Sequence, residues 1–151
     1  MSLPRAARTL LRRPPTDWLA AARAAGLAVA VETGLRTVPL PRLARVLGIR
    51  LVLDGGPTTV GDLSAVRLTE RERHRLDVTW RVLRHRPFNG TCLRRALLAA
   101  RVLRHRHHAV RIGVQKVDGE VRAHAWLELD GVALDPDGVA GFRVLAAREP
   151  A

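Results

Sequence analysis

Two Asp-Gly pairs, Asp118-Gly119 and Asp130-Gly131, constrain this chain more than any other feature. Each stands between runs of alternating apolar and polar residues. Asp-Gly suits a two-residue hairpin turn because both central positions need a positive φ. The pairs therefore predict a three-strand antiparallel meander over 109–117, 120–129 and 132 to about 135. The register follows by counting: Val117 faces Glu120, Leu129 faces Val132, Gly113 lies opposite His124, and Trp126 opposite Asp135. Side chains alternate along a strand, so His124, Trp126 and Asp135 share one face. Diagonal neighbours such as His124 and Asp135 have backbones roughly 7–8 Å apart, within reach of an imidazole–carboxylate hydrogen bond. Gly113 leaves room beside His124 for another element, expected to be the start of a helix at Cys92.

The preceding sequence reads as helices. Pro14-Pro15-Thr16-Asp17 signals a helix start with Thr16 as cap, and the alanine-rich segment to about Leu35 continues it. A second short helix starts between Pro39 and Pro41, carries Leu40, Leu43, Val46 and Leu47 at helical spacing, and stops at Gly48. With a short strand over 49–53 these form an N-terminal helical unit, residues 1–53. Asp54-Gly55-Gly56-Pro57 marks a boundary to a core over 54–151, although 151 residues is also the size of one ordinary domain. Thr69-Glu70-Arg71-Glu72 fits a capping box, opening a helix to about His85 that buries Leu76, Trp80 and Leu83. Asn89-Gly90 is a turn, and Thr91 caps a helix from Cys92 to about Arg104 whose apolar residues surround most of its circumference. The second sheet face, with Val110, Ile112, Val114, Ala123, Ala125 and Leu127, needs a cover, expected from the N-terminal helices or the helix over 68–85.

Cys92 is the only cysteine, so no disulfide can form within the chain, and a reducing cytoplasm is the expected setting. At the N-terminus, Arg5, Arg8, Arg12 and Arg13 precede an apolar run from Trp18 to Val31 in the manner of a signal peptide. Asp17, Arg23 and Glu32 interrupt that run, which reads instead as a helix of the folded protein without stable membrane insertion. The formal charge is +12, and every basic residue except Lys116 is arginine. That excess suits an anionic partner, and coding bias toward arginine produces the same pattern. Aromatic residues are only 3%, which argues against a nucleic-acid partner that stacks on bases.

A thiol at a helix start, a histidine in a strand and a carboxylate one hairpin on are the parts of a nucleophilic Cys-His-Asp site. Free amides and the positive end of the helix dipole stabilise a sulfur anion there. Each residue also has a plain structural role: a lone cysteine packs in cores, a strand histidine is ordinarily structural, and an Asp before Pro makes turns. Their conjunction in one order, His124 and Asp135 on one face, favours catalysis. The Cys92 amide is the natural oxyanion donor, Asn89 a weaker candidate with a turn role of its own, and no upstream glutamine suggests itself. His105, His107 and His108 with Cys92 form an alternative zinc set, but one soft ligand and the interleaved Arg104 and Arg106 argue against it. No cofactor or metal is expected.

At Cys92-Leu93-Arg94-Arg95-Ala96-Leu97 and His124-Ala125-Trp126-Leu127-Glu128 the chain resembles the transglutaminase-like leader peptidases of lasso-peptide biosynthesis, the stand-alone proteolytic half of a split maturation protease. Ile112-Gly113-Val114, Gly131 and Asp135 fill further places of that pattern. The likeness is strong over about the last 70 residues and loose before them. It implies an α+β, papain-like or transglutaminase-like core, a cysteine-bearing helix packed on a small antiparallel sheet, with N-terminal helices. It also implies removal of the leader from a ribosomally made precursor peptide. Cys92, His124 and Asp135 carry over as nucleophile, general base and orienting acid, and Arg95 as the family arginine, in a salt bridge or against substrate. Partners implied are a small leader-binding protein acting in trans and an ATP-dependent macrolactam cyclase. Acyl transfer to an amine is the rival use of the same triad.

Overall fold

The structure, a computed structural model, describes residues 15–53, 59–61, 66–88, 90–134 and 142–145. Helix α1 (Pro15–Thr37) starts at the predicted proline signal and runs slightly past its expected end. Ala24, Ala28 and Val31 are buried at helical spacing, while Trp18, Leu19 and Val29 are exposed on its other side. By length and composition alone α1 is also apolar enough to cross a membrane. The short α2 (Leu40–Val46) has Pro39 as its N-cap, and Gly48 beyond its end takes the positive φ of +65° that glycine tolerates.

Helix α3 (Glu70–Leu83) opens on the predicted capping box. The Glu72 amide donates to the Thr69 hydroxyl at 3.3 Å, and the Thr69 amide donates to Glu72 Oε2 at 2.8 Å. Leu76 and Leu83 are buried as expected, and Trp80 is half-buried. In α4 (Cys92–Val102) the run from Ala96 to Ala100 is buried throughout, so α4 is the central helix, touching α1 on one side and α3 on another.

Strands β3 (His108–Val117), β4 (Glu120–Leu129) and β5 (Val132–Leu134) form the predicted meander in the predicted register, with Gly113 opposite His124 and Leu129 opposite Val132. Both turns hold positive φ at both central residues, Asp118 at 50° and Gly119 at 86°, Asp130 at 53° and Gly131 at 84°. The sheet is mixed, however, and not purely antiparallel. The expected short strand β1 (Leu51–Val52) lies parallel to β3, β2 (Thr59–Gly61) lies parallel to β5, and β6 (Arg143–Val144) pairs antiparallel with β3. β2 and β6, of three and two residues, carry too little alternation to show in a sequence.

One hydrophobic cluster joins Ala28 and Val31 of α1, Leu43 of α2, Leu76 of α3, Leu97 of α4, and Val110, Ala125, Leu127 and Leu129 of the sheet. The face carrying Val110, Ala125 and Leu127 is thus covered first by α4, which corrects the expected cover. Ala96, Ala99 and Ala100 of α4 are all buried.

At the far end of α4 a charged network ties the layers together. Glu72 accepts from His105 at 2.8 Å and from Arg106 at 3.4 Å, and Arg106 also pairs with Asp130 in the β4–β5 turn. Burial, the largest influence, pushes the Glu72 carboxyl up. The Thr69 amide and hydroxyl, His105 and the Arg106 charge together outweigh it and hold the carboxyl at about 2, against an ordinary value of 4.5. A carboxyl depressed on folding contributes stability that is full above its unfolded value and lost as pH falls through its folded one. Glu72→Gln is therefore expected to cost about 1.5–3 kcal/mol near neutral pH, the range for a buried charged hydrogen-bonding group. The cost should shrink between pH 4.5 and 2, in urea unfolding followed across that window.

Candidate active site

Cys92 occupies the first position of α4, with Thr91 at the N-cap in extended geometry. The Thr91 hydroxyl does not cap the helix as expected; it accepts from Arg94 Nη1 at 3.0 Å. Arg94 also donates through Nε to Glu32 of α1, and Arg36 reaches the same carboxylate at 2.8 Å. The Arg94 hydrogen bond, strongest of these influences, holds the Glu32 carboxyl below its ordinary range, against burial and with help from the Arg94 and Arg36 charges. The latch fixes the first turn of α4 to α1 and turns the Thr91 hydroxyl away from the leading amides of the cysteine's helix.

Cys92 is half-buried and lines a cavity of about 330 Å³. Leu76, Trp80 and Leu83 of α3 form one wall, Arg95, Ala96, Ala99 and Leu103 of the α4 segment another, and Ala125, Trp126, Leu127 and Leu134 of the sheet a third. Arg95 is therefore a cavity residue, whereas its neighbour Arg94 makes the inter-helix ion pair.

His124 sits where β4 enters the core: residues 120–123 are exposed, His124 is half-buried, and 125–129 are buried. Its ring stacks on Trp126 at a centroid distance of 6.2 Å and lies 5.0 Å from the Phe142 ring. Trp126 is 2% exposed and packs with Ala133, Phe142 and Val144 in a second cluster, its Nε1–H without an acceptor among the described residues. Beside it, Arg111 Nε donates to Glu128 Oε2 at 2.7 Å, an ion pair on the same strand face.

This arrangement corrects one expectation. α4 does not cover the His124 face, and the space over Gly113 is not filled by the start of α4. A Cβ on Gly113 would stand 2.8 Å from the Trp126 ring and 3.0 Å from the Arg143 carbonyl, so Trp126 and β6 occupy that space. Both faces of the second half of β4 are apolar, and α4 packs on the Ala125–Leu127 side. Cys92 and His124 thus border the same stretch of β4: the cavity that Cys92 lines is walled by residues 125–127, and His124 immediately precedes them. Among the described residues β5 pairs with β4 from Leu127 to Leu129. Asp135, immediately after β5, and Asn89 lie outside the described residues.

The histidines of the zinc alternative diverge. His105 bonds Glu72, His107 Nε2 lies 3.3 Å from Arg50 Nη1, and His108 bonds the Arg106 carbonyl and the Arg50 amide. Cys92 is at the other end of α4, about 15 Å away by helix rise. No group of three metal-ligating side chains converges among the described residues.

A family model described as the transglutaminase-like superfamily matches residues 34–147, a span that includes Cys92, His124 and Asp135. Neither the curated proteins nor the solved structures yield a match.

Gly113 offers a direct check of the packing behind His124. Gly113→Ala is expected to destabilise the fold by about 1–3 kcal/mol, the usual range for overpacking, because neither the buried indole nor the β6 backbone can yield freely. Thermal unfolding followed by tryptophan fluorescence reads the loss.

Proposed function

Because the chain belongs to the transglutaminase-like superfamily, we propose that it is a cysteine peptidase that removes the leader from a lasso precursor peptide, with Cys92, His124 and Asp135 as its triad. The observation that carries this reading is the position of the only cysteine. It heads a buried helix and opens on a cavity walled by the residues that follow His124. The motif resemblance around Cys92 and His124 supplies the substrate class, and the +12 charge suits an acidic leader or partner surface.

In the proposed reaction the Cys92 thiolate attacks the carbonyl carbon of the scissile amide, assisted by the backbone amides at the head of α4. The C–N bond then breaks, and the amine leaves with a proton from His124. Water attacks the resulting thioester while His124 takes its proton, the C–S bond breaks, and the leader leaves as a carboxylate. Asp135 orients the imidazole throughout. A small leader-binding protein would present the precursor in trans, in the cytoplasm, to be followed by a macrolactam cyclase. Asn89 and Arg95 stand in this reading as residues near the substrate, Asn89 as a candidate oxyanion donor.

The family's name favours one rival: an amine replaces water on the same thioester. Mass spectrometry of a precursor peptide incubated with the protein and a leader-binding partner separates the two, since hydrolysis leaves a free carboxylate and transfer leaves an amide. Cys92→Ala is expected to abolish leader removal and His124→Ala to lower it about 10³-fold or more. Asp135→Asn should lower it by a smaller factor, still of orders of magnitude. Undiminished cleavage by the Cys92→Ala protein would refute the proposal.

A further inference from the structure

We infer that the cavity beside Cys92 is a specificity pocket that seats one bulky apolar side chain on the acyl side of the scissile bond, in a peptide whose adjacent residue is acidic. The inference rests on Cys92 as the nucleophile and deepens that reading. At about 330 Å³ the cavity lies at the small end of the range for ligand pockets, roughly 300–1,000 Å³, which suits a side chain better than a folded partner. Its walls come from α3, α4 and the sheet, through Trp80, Leu83, Ala99, Leu127 and Leu134. The packing of the core therefore forms it before substrate arrives. Cys92 lies in the same lining, so a peptide whose carbonyl reaches the sulfur has a neighbouring side chain at the cavity mouth.

Charge narrows the peptide further. Arg84 contributes to the lining, and among the described residues no acidic side chain does. A carboxylate next to the seated residue meets the Arg84 guanidinium, whereas a lysine there meets like charge. Burying a leucine or phenylalanine side chain in place of glycine favours binding by about 10- to 100-fold.

The test uses thiol-directed peptidyl acyloxymethyl ketones on the full chain. The Cys92 sulfur displaces the carboxylate leaving group, forming a C–S bond as the C–O bond breaks, and intact mass spectrometry gives the rate. Probes carry leucine, phenylalanine or glycine at the first or second position from the ketone, with glutamate or lysine adjacent. Leucine or phenylalanine at one of these positions is expected to speed labelling about 10- to 100-fold over glycine. Glutamate is expected to be preferred over lysine at low salt, the difference shrinking as salt rises. Ala99→Leu, which fills the cavity, should reduce the leucine-to-glycine ratio, and Trp80→Ala, which enlarges it, should shift preference from leucine to phenylalanine. Cys92 labelling at equal rates by every probe, or a preference for lysine, overturns the pocket and leaves the nucleophile standing. Absence of Cys92 labelling by all probes overturns both.

Discussion

The packing of α4 against the Ala125, Leu127 and Leu129 side of β4 is the contact on which the other layers depend. Residues 96–100 of α4 are all buried, which requires a layer on every side: the sheet beneath, with α3 and α1 around the remainder. Each end of this helix is then fixed by charge. At its head Arg94 ties Thr91 to Glu32 of α1, and beyond its tail His105 and Arg106 converge on Glu72, with Arg106 reaching Asp130. Apolar packing sets the depth of α4, and the ion pairs set its position along its axis. Cys92 inherits its place at the cavity from both.

Local patterns in the sequence were legible because they act over a few residues. The two Asp-Gly turns dictated the register across β3, β4 and β5, down to Gly113 opposite His124, and Thr69 with Glu72 announced the start of α3. Alternation says which side chains share a face, but not which layer lies over it. Trp126 and Leu127 point opposite ways and are both buried, so either face of β4 was suitable for a helix. Alternation alone therefore does not assign α4 to the Ala125 and Leu127 side, where it packs. The Glu32–Arg94 pair joins residues 62 apart and leaves no local trace, and Thr91 gave its hydroxyl to that arginine instead of its own helix. Gly113 has room beside it in the sequence pattern, but the Trp126 ring from the adjacent strand and the Arg143 carbonyl take that room, not the head of α4.

Trp126 links the two halves of the site. It lies in the cavity lining with Cys92 and stacks on the ring of His124, while Phe142 confines that ring from another side.

The rate of Cys92 alkylation by iodoacetamide at neutral pH, compared between the wild-type chain and His124→Ala, tests that partnership most directly. An imidazole that maintains the thiolate predicts alkylation at least about tenfold slower in the variant, with the fold intact by circular dichroism. Equal rates in two equally folded proteins would contradict it, leaving Cys92 a thiol without a base.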